Sequence, residues 1–193
     1  MIDSKQSYQY FLEQDRLALG IKLDLRSRLR RLWLGNEIWS FQRSLRKVEY
    51  YRNCKRGVLN SLIYAFLRRK LERKAVLLGF SIPENVFGPG LAIVHRGTIV
   101  VSPHARIGRN CRIHVCTNIG ASGGGIEAPK IGNYVYIAPG VKIYGDIKVA
   151  DRVAFAANAA VNKDCLDSDS VYGGIPAKRI GEIEIGKLIP TRT

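Results

Sequence analysis

The 193-residue sequence lacks much that would tie it to common function classes. It has four cysteines, Cys54, Cys111, Cys116 and Cys165, and their spacing forms neither a zinc pattern nor a CxxC redox pair. Free thiols in a reducing cytoplasm are the expectation. Only three histidines are present, His95, His104 and His114, and no metal site is expected. No signal peptide is expected, and the longest apolar run, near Leu62–Leu67, is far too short to cross a bilayer. Paired Cys/His spacings and aromatic-basic RNA motifs are also absent, so no nucleic-acid partner is expected.

Negative charge is the scarcer sign, with 16 Asp+Glu against 31 Lys+Arg. The excess sits mostly at one end. Residues 1–80 hold 18 basic and 7 acidic residues, a net +11, whereas residues 81–193 hold 13 and 9, a net +4. A basic segment of this kind suits either a solvated helix face or a peripheral contact with an anionic membrane or polymer.

Helical spacing runs through residues 8–80. Leu59, Leu62, Ile63, Phe66 and Leu67 form one stripe, followed by "RRKLERK". Leu29, Leu32 and Trp33 lie among Arg26, Arg28, Arg30 and Arg31, and Gly35-Asn36 and Gly57 punctuate the segments. Two or three helices with basic outer faces are expected over 1–80.

From about residue 81 a period of six takes over. Val101, Ile107, Ile113 and Ile119 form one series, and Ile131, Ile137, Ile143, Val149, Phe155 and Val161 the next. Four residues after each comes a second small or aliphatic residue, such as Ala105, Cys111, Val141 or Ala159. A period of six fits a chain that makes a short strand, turns and repeats; three sides close a coil of about 18 residues. The fold class is therefore mainly β: a parallel β-helix of hexapeptide repeats over 81–178, preceded by an α-helical segment and followed by a tail at 179–193. Two features break the rhythm. Counting back six from Val101 reaches His95 where an aliphatic is due. "GASGGGIEAPK" places Gly125 at another aliphatic position, which predicts a loop over 120–130 leaving the coil.

The stretches "GPGLAIVHRGTIVV", "TNIGASGGG", "PKIGNYVYIAPGVKIYGDIKV" and "GGIPAKRIG" resemble the serine O-acetyltransferases among the hexapeptide acyltransferases, over roughly residues 75–181. The resemblance implies a left-handed coil, a homotrimer with clefts between subunits, and acetyl-CoA as co-substrate. It makes His95 the general base, because a hydroxyl becomes a competent nucleophile only when its proton is taken, and imidazole titrates near neutrality. It also places Gly120, Ala121, Ala138 and Ala156 along the CoA path, and sets Lys163, Lys178 and Arg179 to meet the CoA phosphates.

The acceptor side departs from the family. Its orienting aspartate corresponds to Phe80, the aspartate before the histidine to Val94, and its serine-gripping Arg-His pair to Glu127 and Ala128. Glu127 would repel a serine carboxylate that arginine would hold. The expectation is therefore an O-acetyltransferase acting on a sugar hydroxyl of a capsular, lipopolysaccharide or exopolysaccharide glycan, with Glu127, Arg96 and His114 beside the acceptor. The alternatives are a serine acetyltransferase using Arg96 or Arg112 for the carboxylate, and a non-catalytic scaffold. The expected location is cytoplasmic, with contact at the inner membrane face in reach of the basic segment.

Overall fold

The computed structural model describes residues 1–22, 24 and 36–189. The basic stretch around Leu29, Leu32 and Trp33, and the last residues 190–193, lie outside the described residues. Among the described residues three helices come first: α1 (Lys5–Ala18), α2 (Glu37–Cys54) and α3 (Val58–Leu78). Local chemistry sets their ends. Ser4 and Ser7 form a reciprocal capping box on α1, and the Asn36 side chain accepts the Trp39 N–H at the start of α2. Gly79, at φ +79°, closes α3 in the left-handed conformation. No helix among the described residues is long and apolar enough to cross a membrane.

The strands that follow are mostly two or three residues long, and they stack into three parallel sheets that form the faces of a left-handed β-helix. The first face holds β1 (Phe80–Ser81), β3 (Ile99–Val101), β6 (Thr117–Gly120), β9 (Lys142–Tyr144) and β12 (Ala160–Val161). The second holds β4 (Arg106–Ile107), β7 (Lys130–Ile131) and β10 (Lys148–Val149). The third holds β2 (Ala92–Ile93), β5 (Arg112–Ile113), β8 (Tyr136–Ile137), β11 (Ala154–Phe155) and β13 (Ser170–Gly174), with β14 (Ala177–Glu182) added antiparallel. That last strand straddles residue 179, where the tail was expected to begin. The hexad series becomes columns: Ile107 sits on Ile131 and Val149, and Ile113 on Ile137 and Phe155. Their buried side chains, with Cys111 and Cys165 in the small inward positions, form one continuous core.

A stack of parallel coils leaves unpaired backbone groups at its first turn. Four buried polar side chains from the helices meet them. Asp15 accepts the Gly90 and Leu91 N–H groups, and Gln42 donates to the Leu91 carbonyl. Arg46 donates to the Phe87 and Gly88 carbonyls, and Glu49 accepts the Asn85 N–H. Arg46 also pairs with Asp15 at 2.8 Å and Glu49 at 3.0 Å. Burial opposes the guanidinium charge, but the two carboxylates outweigh it and raise the Arg46 pKa. Phe41, Leu45, Val48, Leu71, Ala75 and Leu78 continue the coil core into the helices. The helical segment thus caps the open end of the coil stack.

Candidate active site

His95 lies at the corner between the third and first faces. Five residues, 94–98, link Ile93 to Ile99 there; in the next coil only three, 114–116, link the paired Ile113 to Thr117. The corner therefore carries two extra residues. His95 does not replace a core aliphatic, as counting by six suggests; Ile93 fills that inward position, and the longer corner puts His95 on the exposed surface. Gly97 makes the bend. Its φ is +128°, and a Cβ there would lie 2.3 Å from Val115 Cγ2.

One backbone column runs down this corner. Val94 N–H donates to Ile113 O, His114 N–H to Ile137 O, Ala138 N–H to Phe155 O, and Ala156 N–H to Tyr172 O. Below His114, the column carries only the methyl groups of Ala138 and Ala156. Gly173 ends it beneath the Ile180 side chain, where a Cβ would sit 2.8 Å from Ile180 Cδ1 and 3.1 Å from Ala156 Cβ. The corner thus turns from bulky near His95 to small-walled toward the β13–β14 hairpin.

The His114 ring is buried, with its centroid 5.9 Å from that of His95 and 5.1 Å from that of Tyr136. Its Nε2 has no hydrogen-bond partner. Burial chiefly, then the charges of Arg112 and His95, lowers its pKa to about 4. His114 is therefore a neutral imidazole at ordinary pH, with one ring nitrogen buried and unpartnered. No hydrogen bond holds the His95 ring among the described residues. Phe80, at the position of the family's orienting aspartate, points into the core against Phe41, ring centroids 5.1 Å apart.

The other expected site residues separate into groups. Arg96 is exposed beside His95, and Gly120 and Ala121 lead into the loop that carries exposed Glu127. That loop is a true insertion: Asn118 pairs with Lys142, twenty-four residues on, whereas Lys142 pairs with Ala160, eighteen on. Ala128, which follows Glu127, is buried and returns the chain to the core. Lys163 and Lys178 are exposed. Arg179 is already engaged: it donates to Ser170 Oγ at 2.9 Å and pairs with Glu182 at 3.1 Å and Asp167 at 3.8 Å. His104 lies on the opposite corner, between the first and second faces. A groove of 590 Å³ on the second face is bordered by Phe11, Phe87 and Lys130, and His95 does not line it. No cluster of three or more potential metal ligands occurs among the described residues.

No family model matches the sequence. A serine acetyltransferase of Helicobacter pylori (strain J99) is 34% identical over 121 residues, spanning 61% of this chain and 70% of that one. The chain belongs to the serine acetyltransferase family. The Mycobacterium tuberculosis serine acetyltransferase is 33% identical over 118 residues, 60% of this chain and 51% of its own. This family member thus spans about half the length of the first curated relatives it matches, 51% and 44% of them. Among solved structures, a serine O-acetyltransferase from Brucella melitensis superposes with a TM-score of 0.71 at 24% identity, covering 92% of this chain and 71% of that one. A Brucella abortus serine acetyltransferase in complex with coenzyme A gives 0.72 at 24% identity, over 93% and 70%. These structures share the hexapeptide β-helix and the helical segment before it.

Sequence reading missed the polar quartet Asp15, Gln42, Arg46 and Glu49, whose partners are backbone groups far along the chain. It also missed the two-residue corner insertion, for which Gly97 was the available signal.

Proposed function

We propose that this chain is an acetyl-CoA-dependent O-acetyltransferase in which His95 is the general base. The observation that carries the reading is the extended corner, which sets an exposed imidazole at the head of a small-walled column. The His95 ring takes the proton from an acceptor hydroxyl as its oxygen attacks the thioester carbonyl. The C–S bond then breaks, and the imidazolium returns the proton to the departing thiolate. The stacked small residues Ala138 and Ala156, with Gly120 and Ala121 at the next corner, let an extended pantetheine chain approach the backbone. Lys163 and Lys178 supply the charge for its phosphates. Arg179, held by Glu182, Asp167 and Ser170, braces the hairpin between them. A homotrimer would complete each cleft with a neighbouring subunit.

On the acceptor, the relatives favour L-serine, and the glycan acceptor expected from the sequence gains no support from them. In the serine reading, Arg96 or Arg112 holds the substrate carboxylate, and His114 packs behind His95 at the acceptor corner. One observation keeps a neutral, hydroxyl-rich acceptor as the second reading: Glu127 and Ala128 stand where the family has its arginine-histidine grip. Thiol release from acetyl-CoA, measured with L-serine and with soluble glycan acceptors, decides between them. Serine-dependent release is the expected result. Glycan-dependent release alone would establish the second reading, and no release with any acceptor would overturn both.

A further inference from the structure

Helix α3 has two faces. Leu71, Ala75 and Leu78 are buried in the core, with Tyr64 and Leu67 packed against it. The opposite stripe is bare. Val58 is 80% exposed, Leu59 71%, Leu62 65% and Phe66 68%. Leu59, Leu62 and Phe66 fall three and four apart, so they share one strip of the helix surface. From Val58 to Phe66 this strip runs about 12 Å. Large apolar side chains at this exposure, gathered on two adjacent turns, mark a contact surface.

The charges around the strip identify what it fits. Lys55 and Arg56 stand before it, and Arg68, Arg69, Lys70 and Arg73 after it, with Glu72 the single acid within residues 55–74. Arg69, Lys70 and Arg73 have no ion-pair partner among the described residues. Pairing of this face with the same face of a second copy is electrostatically unfavourable. An antiparallel pair centred on Leu62 would set Arg68 and Arg69 opposite Arg56 and Lys55 of the second copy. A parallel pair would set each cation against its own copy. Like charges so placed repel. An anionic surface with an apolar layer just beneath it matches both features at once.

We propose that the exposed face of α3 docks on an anionic lipid bilayer. Leu59, Leu62 and Phe66 enter the headgroup–acyl boundary, while the cations at both ends of the strip meet lipid phosphates. The His95 corner abuts the other end of α3, where Gly97 N–H donates to Leu78 O, about 18 Å along the helix from Phe66, and the contact does not depend on the proposed reaction.

The test is flotation of the full chain with phosphatidylcholine vesicles, with and without phosphatidylglycerol. Binding should be at least about tenfold stronger to the phosphatidylglycerol vesicles and should weaken in high salt. The paired changes Leu62→Glu and Phe66→Glu should cut it by at least about tenfold, as should Arg69→Glu with Arg73→Glu. These positions are exposed, so circular dichroism and Tm should match the unmodified chain. Equal binding to neutral vesicles, or undiminished binding by the Leu62/Phe66 variant, would overturn the proposal. It would also fall if, without lipid, the unmodified chain formed a larger assembly that the same variant dissociates, because the face would then pair with a second copy.

Discussion

The rings of His95 and His114 lie with centroids 5.9 Å apart, tilted by 53°, on neighbouring coils of the same corner. The two imidazoles differ in kind. His95 is exposed on an extended corner, whereas His114 is buried under it with an unpartnered Nε2 and a pKa lowered to about 4. With a pKa near 4, His114 is too weak a base to compete with His95 in the proposed proton transfer.

That difference predicts a stability effect. In the unfolded chain His114 takes a proton near its ordinary value of 6.5; in the folded chain it does so only at about 4. Between those values the unfolded state binds more protons, so stability falls as pH drops from about 6.5 to about 4. The contribution is fully present above that window. His114→Leu should flatten this part of the acid limb, read as urea midpoints between neutral and acid pH. An unchanged slope would contradict the buried, neutral assignment.

The helical cap predicts a second effect. Arg46→Met leaves Asp15 and Glu49 buried without their cation and strips two carbonyls of the first coil of their donor. Loss of one member of such a group costs about 3–5 kcal/mol. Urea unfolding should show a loss of that size. A change within ordinary surface-mutation range would mean that the helices do not hold the coil's open end through this residue.

Gly97 ties fold to site. Any side chain there is strained at φ +128°, and a Cβ meets Val115 Cγ2 at 2.3 Å. Gly97→Ala should displace the His95 corner and lower kcat at least about tenfold while the rest of the coil stays folded. Circular dichroism alongside steady-state kinetics checks both halves; unchanged kcat would show that the corner tolerates the substitution.

Much of the coil is legible in the sequence because every inward position recurs with the same spacing and chemistry. Ile113, Ile137 and Phe155 announce their own column. The loop at 120–130 is equally legible, since Gly125 interrupts a repeat that resumes at Ile131. The cap is not: Asp15, Gln42, Arg46 and Glu49 read as outward-facing polar positions on helices, because helical periodicity does not register the distant backbone of Phe87 to Leu91. The His95 corner is half legible. The break in rhythm marks it, but counting by six aligns His95 with Ile113 when its inward counterpart is Ile93. An insertion of two residues leaves no trace in composition. The acceptor is least legible, because Glu127 and Ala128 depart from the family pattern at the residues that would recognise it.

The most direct measurement is thiol release from acetyl-CoA by the unmodified chain and by His95→Ala, with the acceptor that supports turnover. The account predicts that the substitution lowers kcat by about 10²–10⁴-fold, with Tm and acetyl-CoA binding preserved. Release at the unmodified rate by a folded His95→Ala variant would contradict it.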